Sequence, residues 1–195
     1  MKTLIFNGSP RKNGDTAVLI NEFTSNLEGE YKIINSYDCN IKACIDCRYC
    51  WKNEGCSQID GMQEVYSYIQ ECDNILIASP IFFTEISGQL LAVASRLQTY
   101  FCARYFRKET PIKKSKKGGI ILAAGGNGNM EKAFSTASML LDNMNAKEIG
   151  PAVYCLNTDQ ISPKNNIQDM KGVREIAKFF NQFFPIKNKE VKYEL

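Results

Sequence analysis

Apolar residues recur along this chain in two alternating patterns: short continuous runs, and longer segments with helical spacing. The continuous runs carry Ile, Val, Leu, Tyr or Phe and end near turn residues, which is typical of buried strands. They predict five strands, at about residues 2–6, 31–36, 74–79, 118–124 and 148–155.

Segments with helical periodicity separate these strands and follow the last one. Their apolar positions are Leu19, Phe23 and Leu27; Met62, Val65 and Ile69; Leu90, Leu91, Ala94 and Leu97; Met130, Ala133, Phe134, Ala137, Leu140, Leu141 and Met144; and Ile167, Met170, Val173, Ile176, Ala177 and Phe180. This strict alternation predicts an α/β fold, a doubly wound parallel sheet with helices on both faces. A length of 195 residues predicts a single domain over residues 1–195. The tail after Pro185 is expected to be loose or to cross to a partner subunit.

The loops after strands one, three and four are expected to converge, because ligands of such sheets bind outside the carboxyl ends of the strands. The first loop, residues 8–14, carries glycines that free the backbone and leads into a helix start. Unpaired helix N–H groups together with Ser9, Arg11 and Thr16 suit a phosphate. The alternative is an ordinary strand-to-helix turn in which Asp15 is the N-cap and no ligand is needed.

The loop after strand three places an extended, proline-stiffened backbone and two aromatic residues, Phe82 and Phe83, beyond a buried strand. Such a loop suits a flat conjugated ring, although these aromatics are equally typical of core packing under a loop. A glycine-rich loop, residues 125–128, follows strand four. Because no Gly-x-Gly-x-x-Gly run opens the first helix, the combined pattern favours FMN over a dinucleotide.

Four of the eight cysteines form a C-x2-C-x2-C-x5-C run at Cys44, Cys47, Cys50 and Cys56. Two-residue gaps let consecutive sulfurs turn toward one centre, as a [4Fe–4S] cluster or an all-cysteine zinc site requires. Free or redox-active thiols are the other interpretation.

The net charge of +3, from 24 basic and 21 acidic residues, indicates no general attraction to nucleic acid or a membrane surface, so a small-molecule partner is favoured. We expect a cytoplasmic protein, since no signal peptide or membrane-spanning run is recognised. The sequence contains no histidine, which removes the commonest general base and favours chemistry carried by a bound cofactor. No side chain is nominated as catalytic.

Three segments resemble the flavodoxin-like NADPH-dependent FMN reductase family: Gly8-Ser9-Pro10-Arg11-Lys12-Asn13-Gly14-Asp15-Thr16, Ser79-Pro80-Ile81-Phe82-Phe83 and Ser87-Gly88-Gln89-Leu90. The resemblance implies a five-stranded parallel sheet of order 2-1-3-4-5. The candidate FMN-binding residues are then Ser9, Arg11, Gly14, Asp15 and Thr16 at the phosphate; Ser79, Pro80, Ile81, Phe82, Phe83 and Thr84 at the isoalloxazine; and Gly125, Gly126, Asn127 and Gly128 at its other edge.

Two positions depart from the family pattern. Asp15 stands where asparagine is more frequent, and Phe82 stands where tyrosine is frequent. Because a carboxylate beside a phosphate would repel it, we expect Asp15 to cap the helix and point its charge away.

The cysteine run is similar to the compact motif of iron-sulfur flavoproteins, a branch of the same superfamily in which a cluster passes electrons to FMN. This resemblance implies Cys44, Cys47, Cys50 and Cys56 as ligands of a [4Fe–4S] cluster. Members of the family are typically homodimers or homotetramers.

The leading hypothesis is an FMN-dependent oxidoreductase that takes electrons from NAD(P)H and passes them to a quinone, a flavin, iron, or a nitro or azo aromatic acceptor. One alternative is an iron-sulfur flavoprotein that acts as an electron carrier and docks on redox proteins. The other is a thiol or metal sensor on a flavodoxin-like scaffold.

Overall fold

The computed structural model describes residues 1–183, within which strands and helices alternate. The strands are β1 (Lys2–Asn7), β2 (Glu30–Asn35), β3 (Asn74–Phe82), β4 (Glu85–Ile86), β5 (Lys116–Ala123), β6 (Ala146–Ile149) and β7 (Val153–Cys155). The α-helices are α1 (Asp15–Ser25), α2 (Met62–Glu71), α3 (Gly88–Ala94), α4 (Gln98–Tyr105), α5 (Glu131–Asn143) and α6 (Ile167–Asn181). The prediction for the tail after Pro185 concerns residues outside this range.

The sheet has the order β2-β1-β3-β5-β6, and neighbours on this path run parallel. This path is the expected order 2-1-3-4-5, so the doubly wound, flavodoxin-like class is confirmed. The described residues form seven strands rather than five. The fifth predicted strand is split into β6 and β7, which both pair with β5, because Pro151 lies between them and cannot donate a ladder hydrogen bond. The short β4 folds back antiparallel on the end of β3.

Side chains of the central strands alternate between the two helix layers. Leu4 and Phe6 of β1 pack with the layer formed by α2, α3 and α5, whereas Ile5 packs with α1 and α6. The same alternation runs along β3, where Ile75 and Leu76 take opposite faces. Both faces are therefore covered, which explains why these strands read as continuous apolar runs.

The third predicted helix is broken into α3, a 3-10 turn at Ser95–Leu97, and α4. Two side chains from other helices donate hydrogen bonds to carbonyl groups at the break. Tyr66 donates to the Arg96 carbonyl at 2.7 Å, and Asn143 donates to the Leu97 carbonyl at 3.1 Å. These hydrogen bonds stabilise a change of direction that apolar spacing does not reveal.

None of the helices within residues 1–183 combines the length and the hydrophobicity that spanning a bilayer requires.

Candidate functional site

The first predicted loop leads from β1 into α1, and the structure makes Gly14 the N-cap of that helix, without any side-chain hydrogen bond to the helix end. The first N–H groups of α1 therefore lack both an intrahelical acceptor and a side-chain cap, which is the arrangement that attracts an anion. Thr16, in the first turn, is buried. The Ser9 hydroxyl accepts from the Arg11 amide at 3.2 Å and so braces the loop.

The expectation that Asp15 caps the helix is wrong. Its carboxylate accepts from the Arg11 guanidinium at 2.9 Å and from the Thr158 hydroxyl at 3.3 Å, away from the helix N–H groups. The negative charge beside a prospective phosphate site is thus countered by an ion pair. The backbone amides stay open because Gly14, one residue earlier, takes the cap position.

The second predicted loop is a β-hairpin. β3 continues through Pro80 and Ile81 to Phe82, and the turn residues Phe83 and Thr84 both adopt positive φ, at 50° and 65°. This backbone conformation is costly for aromatic and β-branched residues. Phe82 is 46% exposed and Phe83 is 99% exposed, so neither is the core residue that one interpretation allowed.

Ser79 is fully buried, and its hydroxyl is already used. It accepts from the Ser87 amide at 3.0 Å and donates to the Pro80 carbonyl at 2.8 Å. Ser79 therefore closes the base of the hairpin, and the exposed surface of this segment comes from the residues after it.

The third loop, residues 125–128, is held by the loop after β7. The carbonyls of Ala124, Gly125 and Gly126 accept from the amides of residues 158, 159 and 157 at 3.0, 3.2 and 3.0 Å. A Cβ at Gly125 would lie 2.3 Å from an Asp159 carboxylate oxygen, so any larger residue there would require the exposed Asp159 side chain to move.

The three loops lie at one edge of the sheet, as expected. The Gly8 amide donates to the Ala78 carbonyl at 2.8 Å, and a Cβ at Gly8 would meet the hydroxyls of Ser79 and Ser87. Thr158 joins the first loop to the third, because its hydroxyl bonds Asp15 while its amide bonds Ala124.

Sequence reasoning missed two of the residues that organise this edge. The Asn7 side chain donates to the Asn35 side chain at 2.8 Å and accepts from the Ser9 amide at 2.9 Å, which ties the first loop to β2. Thr158 follows the split fifth strand. Asn7 is the last residue of β1, and Thr158 follows β7. A polar residue at or just after a strand end is the sequence signal that could have identified both.

The cysteine loop, defined as residues 44–56, follows β2 and has one 3-10 turn, at Tyr49–Trp51. All four of its cysteines line a single surface cavity together with Arg96, Gln98 and Thr99. Within residues 1–183 no three potential ligands stand at metal-binding geometry, so a metal would require the sulfurs to move together.

Hydrogen bonds from the 3-10 turn after α3, from α4 and from the segment just after α4 hold the cysteine loop at several points. The Cys44 amide donates to the Ser95 hydroxyl at 2.9 Å, and the Thr99 hydroxyl donates to the Gly55 carbonyl at 2.8 Å. Arg107 donates to the Cys50 carbonyl. The loop is therefore fixed at both ends and near its middle.

The thiols of this loop differ in character. A hydrogen bond with the Ser57 hydroxyl, at 3.1 Å, lowers the pKa of the exposed Cys47. Burial, with the neighbouring Cys102 thiol, raises the pKa of Cys50 to about 12. Loading a metal would therefore favour Cys47 as the first thiolate.

Arg96 forms a buried ion pair with Asp60 at the base of this cavity, with 2.7 Å between the guanidinium and the carboxylate. Burial by itself would raise the pKa of Asp60, but hydrogen bonds from Arg96 and from the Met62 and Lys42 amides outweigh it and hold that pKa below its usual value. Arg96 was not singled out from the sequence, because an arginine inside a predicted helix is usually a surface residue.

Residues 1–160 match the family model described as NADPH-dependent FMN reductase. The chain belongs to the NADPH-dependent FMN reductase family. Membership makes it an oxidoreductase and supports FMN as its cofactor.

Relatives of this family member include proteins named iron-sulfur flavoprotein. One from Methanocaldococcus jannaschii is 30% identical over 134 residues, which cover 67% of this chain and 66% of that protein, just under two thirds of its length. Another from Archaeoglobus fulgidus is 25% identical over 190 residues, which cover 96% of this chain and 82% of that protein.

Solved structures share the fold at low sequence identity. The NAD(P)H:quinone oxidoreductase from Methanothermobacter marburgensis has a TM-score of 0.75 at 17% identity and covers 95% of this chain and 98% of that one. An FMN-dependent NADH-azoreductase from Bacillus anthracis, solved with FMN, has a TM-score of 0.65 at 18% identity. The match covers 92% of this chain and 99% of that one.

The residues at the sheet edge fit FMN. The uncapped start of α1 and the Arg11 guanidinium suit a phosphate, and the exposed hairpin aromatics provide apolar surface for a ring. The cysteine loop fits a cluster by the chemistry of its donors, since four thiols line one cavity.

We expect Gly125→Ala to lower the free energy of unfolding by up to about 1 kcal/mol, because its methyl group would force the exposed Asp159 side chain to rotate away. Gly126→Ala, whose methyl group would enter open space, should change it by less than about 0.5 kcal/mol. Urea unfolding of these variants and of Asp159→Ala/Gly125→Ala measures the effect. An unrelieved loss in the double variant, relative to Asp159→Ala alone, would contradict the contact.

Proposed function

We propose that this protein is an FMN-dependent oxidoreductase that takes electrons from NAD(P)H and passes them to a quinone, a flavin, iron, or a nitro or azo aromatic acceptor. The observation that carries the proposal is the convergence of three loops at one sheet edge, beside a helix start whose N–H groups are uncapped. Family membership agrees with it.

In this proposal the start of α1 binds the FMN phosphate. The amides after Gly14 and the hydroxyls of Ser9 and Thr16 donate to phosphate oxygens, and Arg11 supplies positive charge. Asp15 orients the Arg11 side chain through their ion pair.

The hairpin and the glycine loop hold the isoalloxazine ring. Pro80 to Thr84 give one wall, with Phe82 and Phe83 as its apolar surface, and residues 125–128 give the other edge. When bound, FMN accepts a hydride from NAD(P)H and delivers electrons to the acceptor. Because the chain has no histidine and the hairpin tip faces solvent, protons that the acceptor needs come from water.

The range of acceptors is supported by the neighbours of the fold. One of them is named as a quinone oxidoreductase and another as an azoreductase. Quinones and aromatic azo compounds are both conjugated molecules, which an open, aromatic-lined edge suits. We also propose a homodimer or homotetramer, as the family resemblance implies.

Purified protein should show the two visible absorption bands of a flavin and should oxidise NADH or NADPH when a quinone is added. The physical reason is that the protein only has to bind and orient a cofactor that performs the redox step. Protein that stays colourless after FMN is supplied, or coloured protein that oxidises neither nucleotide, would contradict the proposed enzyme.

The paired substitution Ser9→Ala/Thr16→Ala should weaken FMN retention at least tenfold, because two donors to the phosphate are lost, each contributing on the order of 1 kcal/mol. FMN remaining after dialysis, measured by absorbance, tests this. Ser25→Ala, at the far end of α1 with its hydroxyl on the Asn21 carbonyl, is the matched control and should retain FMN. Equal retention in all three proteins would contradict the phosphate assignment.

A second candidate function is that of an iron-sulfur flavoprotein that carries electrons, with a [4Fe–4S] cluster on the cysteine loop. Two observations favour it: Cys44, Cys47, Cys50 and Cys56 line one cavity, and the relatives described above are named iron-sulfur flavoproteins. The cluster would supply one-electron transfer next to the two-electron chemistry of the flavin.

Cys47→Ser should reduce the iron and sulfide bound after anaerobic reconstitution, because it removes one of the four sulfur ligands of the proposed cluster. Cys39→Ser, a thiol outside the run, is the matched control and should leave both contents unchanged. Zinc in place of iron in the unsubstituted protein, or no metal at all, would contradict the cluster.

A further inference from the structure

Arg96 is a charged residue whose side chain has no solvent exposure. One terminal nitrogen donates to the Asp60 carboxylate at 2.7 Å and to the Lys42 carbonyl at 2.9 Å. The other donates to the Gln58 carbonyl at 3.0 Å. These contacts hold the chain just before the first cysteine of the loop and just after the last one.

The third nitrogen of Arg96, Nε, is buried, and its N–H group has no hydrogen-bond partner among residues 1–183. A buried donor without an acceptor is costly, and folded proteins rarely leave one unpaired without a reason. Holding the two ends of the cysteine loop explains the hydrogen bonds of the two terminal nitrogens, but it does not explain the unpaired Nε–H group.

The orientation of the ion pair supplies the explanation. Arg96 lines the same cavity as Cys44, Cys47, Cys50 and Cys56, whereas Asp60 does not. Of the two charged residues, Arg96 is therefore the one that borders the thiols, and its guanidinium lies within electrostatic range of the Cys56 thiol. The pair is neutral as a whole, and its positive member is the one next to the cavity.

We infer that Arg96 is an electrostatic tuning residue of the cysteine site, whose Nε–H donates to a sulfur of the bound cluster and whose charge raises the reduction potential of that cluster. This inference rests on the proposed [4Fe–4S] site. Four thiolates give that group a negative charge, which grows by one when it accepts an electron. A buried positive charge beside it stabilises the reduced state more than the oxidised state, and hydrogen bonds to cluster sulfurs act in the same direction.

The inference predicts opposite effects for the two members of the ion pair. Arg96→Gln removes the positive charge and should lower the potential. Asp60→Asn keeps the guanidinium and removes the negative charge behind it, so it should raise the potential. A residue that only pins the loop would not give shifts of opposite sign.

The experiment uses the full chain, reconstituted anaerobically with iron and sulfide, in five forms: unsubstituted, Arg96→Gln, Arg96→Lys, Asp60→Asn and Arg48→Gln. Iron and sulfide contents establish loading, and redox titration followed by visible and electron paramagnetic resonance spectra gives the cluster potential. Arg48 is the matched control, since it also lines the cavity but its side chain is 64% exposed and solvent screens its charge.

We expect Arg96→Gln to lower the equilibrium constant for one-electron reduction about tenfold, which corresponds to about 59 mV. Asp60→Asn should shift the potential upward, Arg96→Lys should lie closer to the unsubstituted protein than Arg96→Gln does, and Arg48→Gln should match the unsubstituted protein. If Arg96→Gln binds no iron, the other two variants test the inference. It then requires that Asp60→Asn shift the potential upward and that Arg96→Lys still bind the cluster.

Two results would overturn it, and they are distinguishable. Loaded variants of Arg96 and Asp60 with unchanged potentials, or with shifts of the same sign, would reject the tuning role and leave the cluster standing. Unsubstituted protein that binds no iron would reject the cluster, and the tuning role with it.

Discussion

β1 pairs in parallel with β3, and β3 pairs in parallel with β5, so all three strands end at the same edge of the sheet. After each strand the polypeptide returns to the opposite edge through a helix. Asn7 stands opposite Ala78, and Pro80 stands opposite Ala123, so the three loops leave from adjacent points. Two strand spacings of about 4.8 Å each place these departures within roughly 10 Å. One ligand at this edge can therefore contact all three loops.

The predicted flavin edge and the cysteine loop share a common support in α3. Ser87 caps the start of this helix and closes the hairpin, while Ser95 and Arg96, just beyond its end, hold the cysteine loop. Seven helical residues rise roughly 10 Å. One short helix therefore sets the separation of two sites that stand far apart in the sequence.

The buried pair of Arg96 and Asp60 explains how an irregular loop keeps its position. Desolvating two charges is costly and is offset only when every remaining group is well paired. Here the carboxylate also accepts hydrogen bonds from the Met62 and Lys42 amides, at 3.0 Å and 3.1 Å. The guanidinium also donates to two backbone carbonyls. The polar contacts fix both ends of the loop, and they leave the Arg96 Nε–H without a partner among the described residues.

The order of apolar runs and turn residues was enough to predict the layer architecture and the converging loops, because burial on both sheet faces leaves a continuous apolar signature. Local sequence could not reveal that Asp15 pairs with Arg11 instead of capping α1, that Phe83 and Thr84 form a hairpin turn, or that the third helix breaks at Ser95. The helix break depends on Tyr66 and Asn143, and the position of Asp15 depends in part on Thr158, all of them distant in the chain. The hairpin is closed by the contact between Ser79 and Ser87. The sequence by itself determined which elements form and which loops share an edge. The tertiary structure decided which polar groups are paired within the protein and which, at the start of α1 and on Arg96, are left for a ligand. The reason is that hydrogen-bond partners are assigned only when distant segments pack.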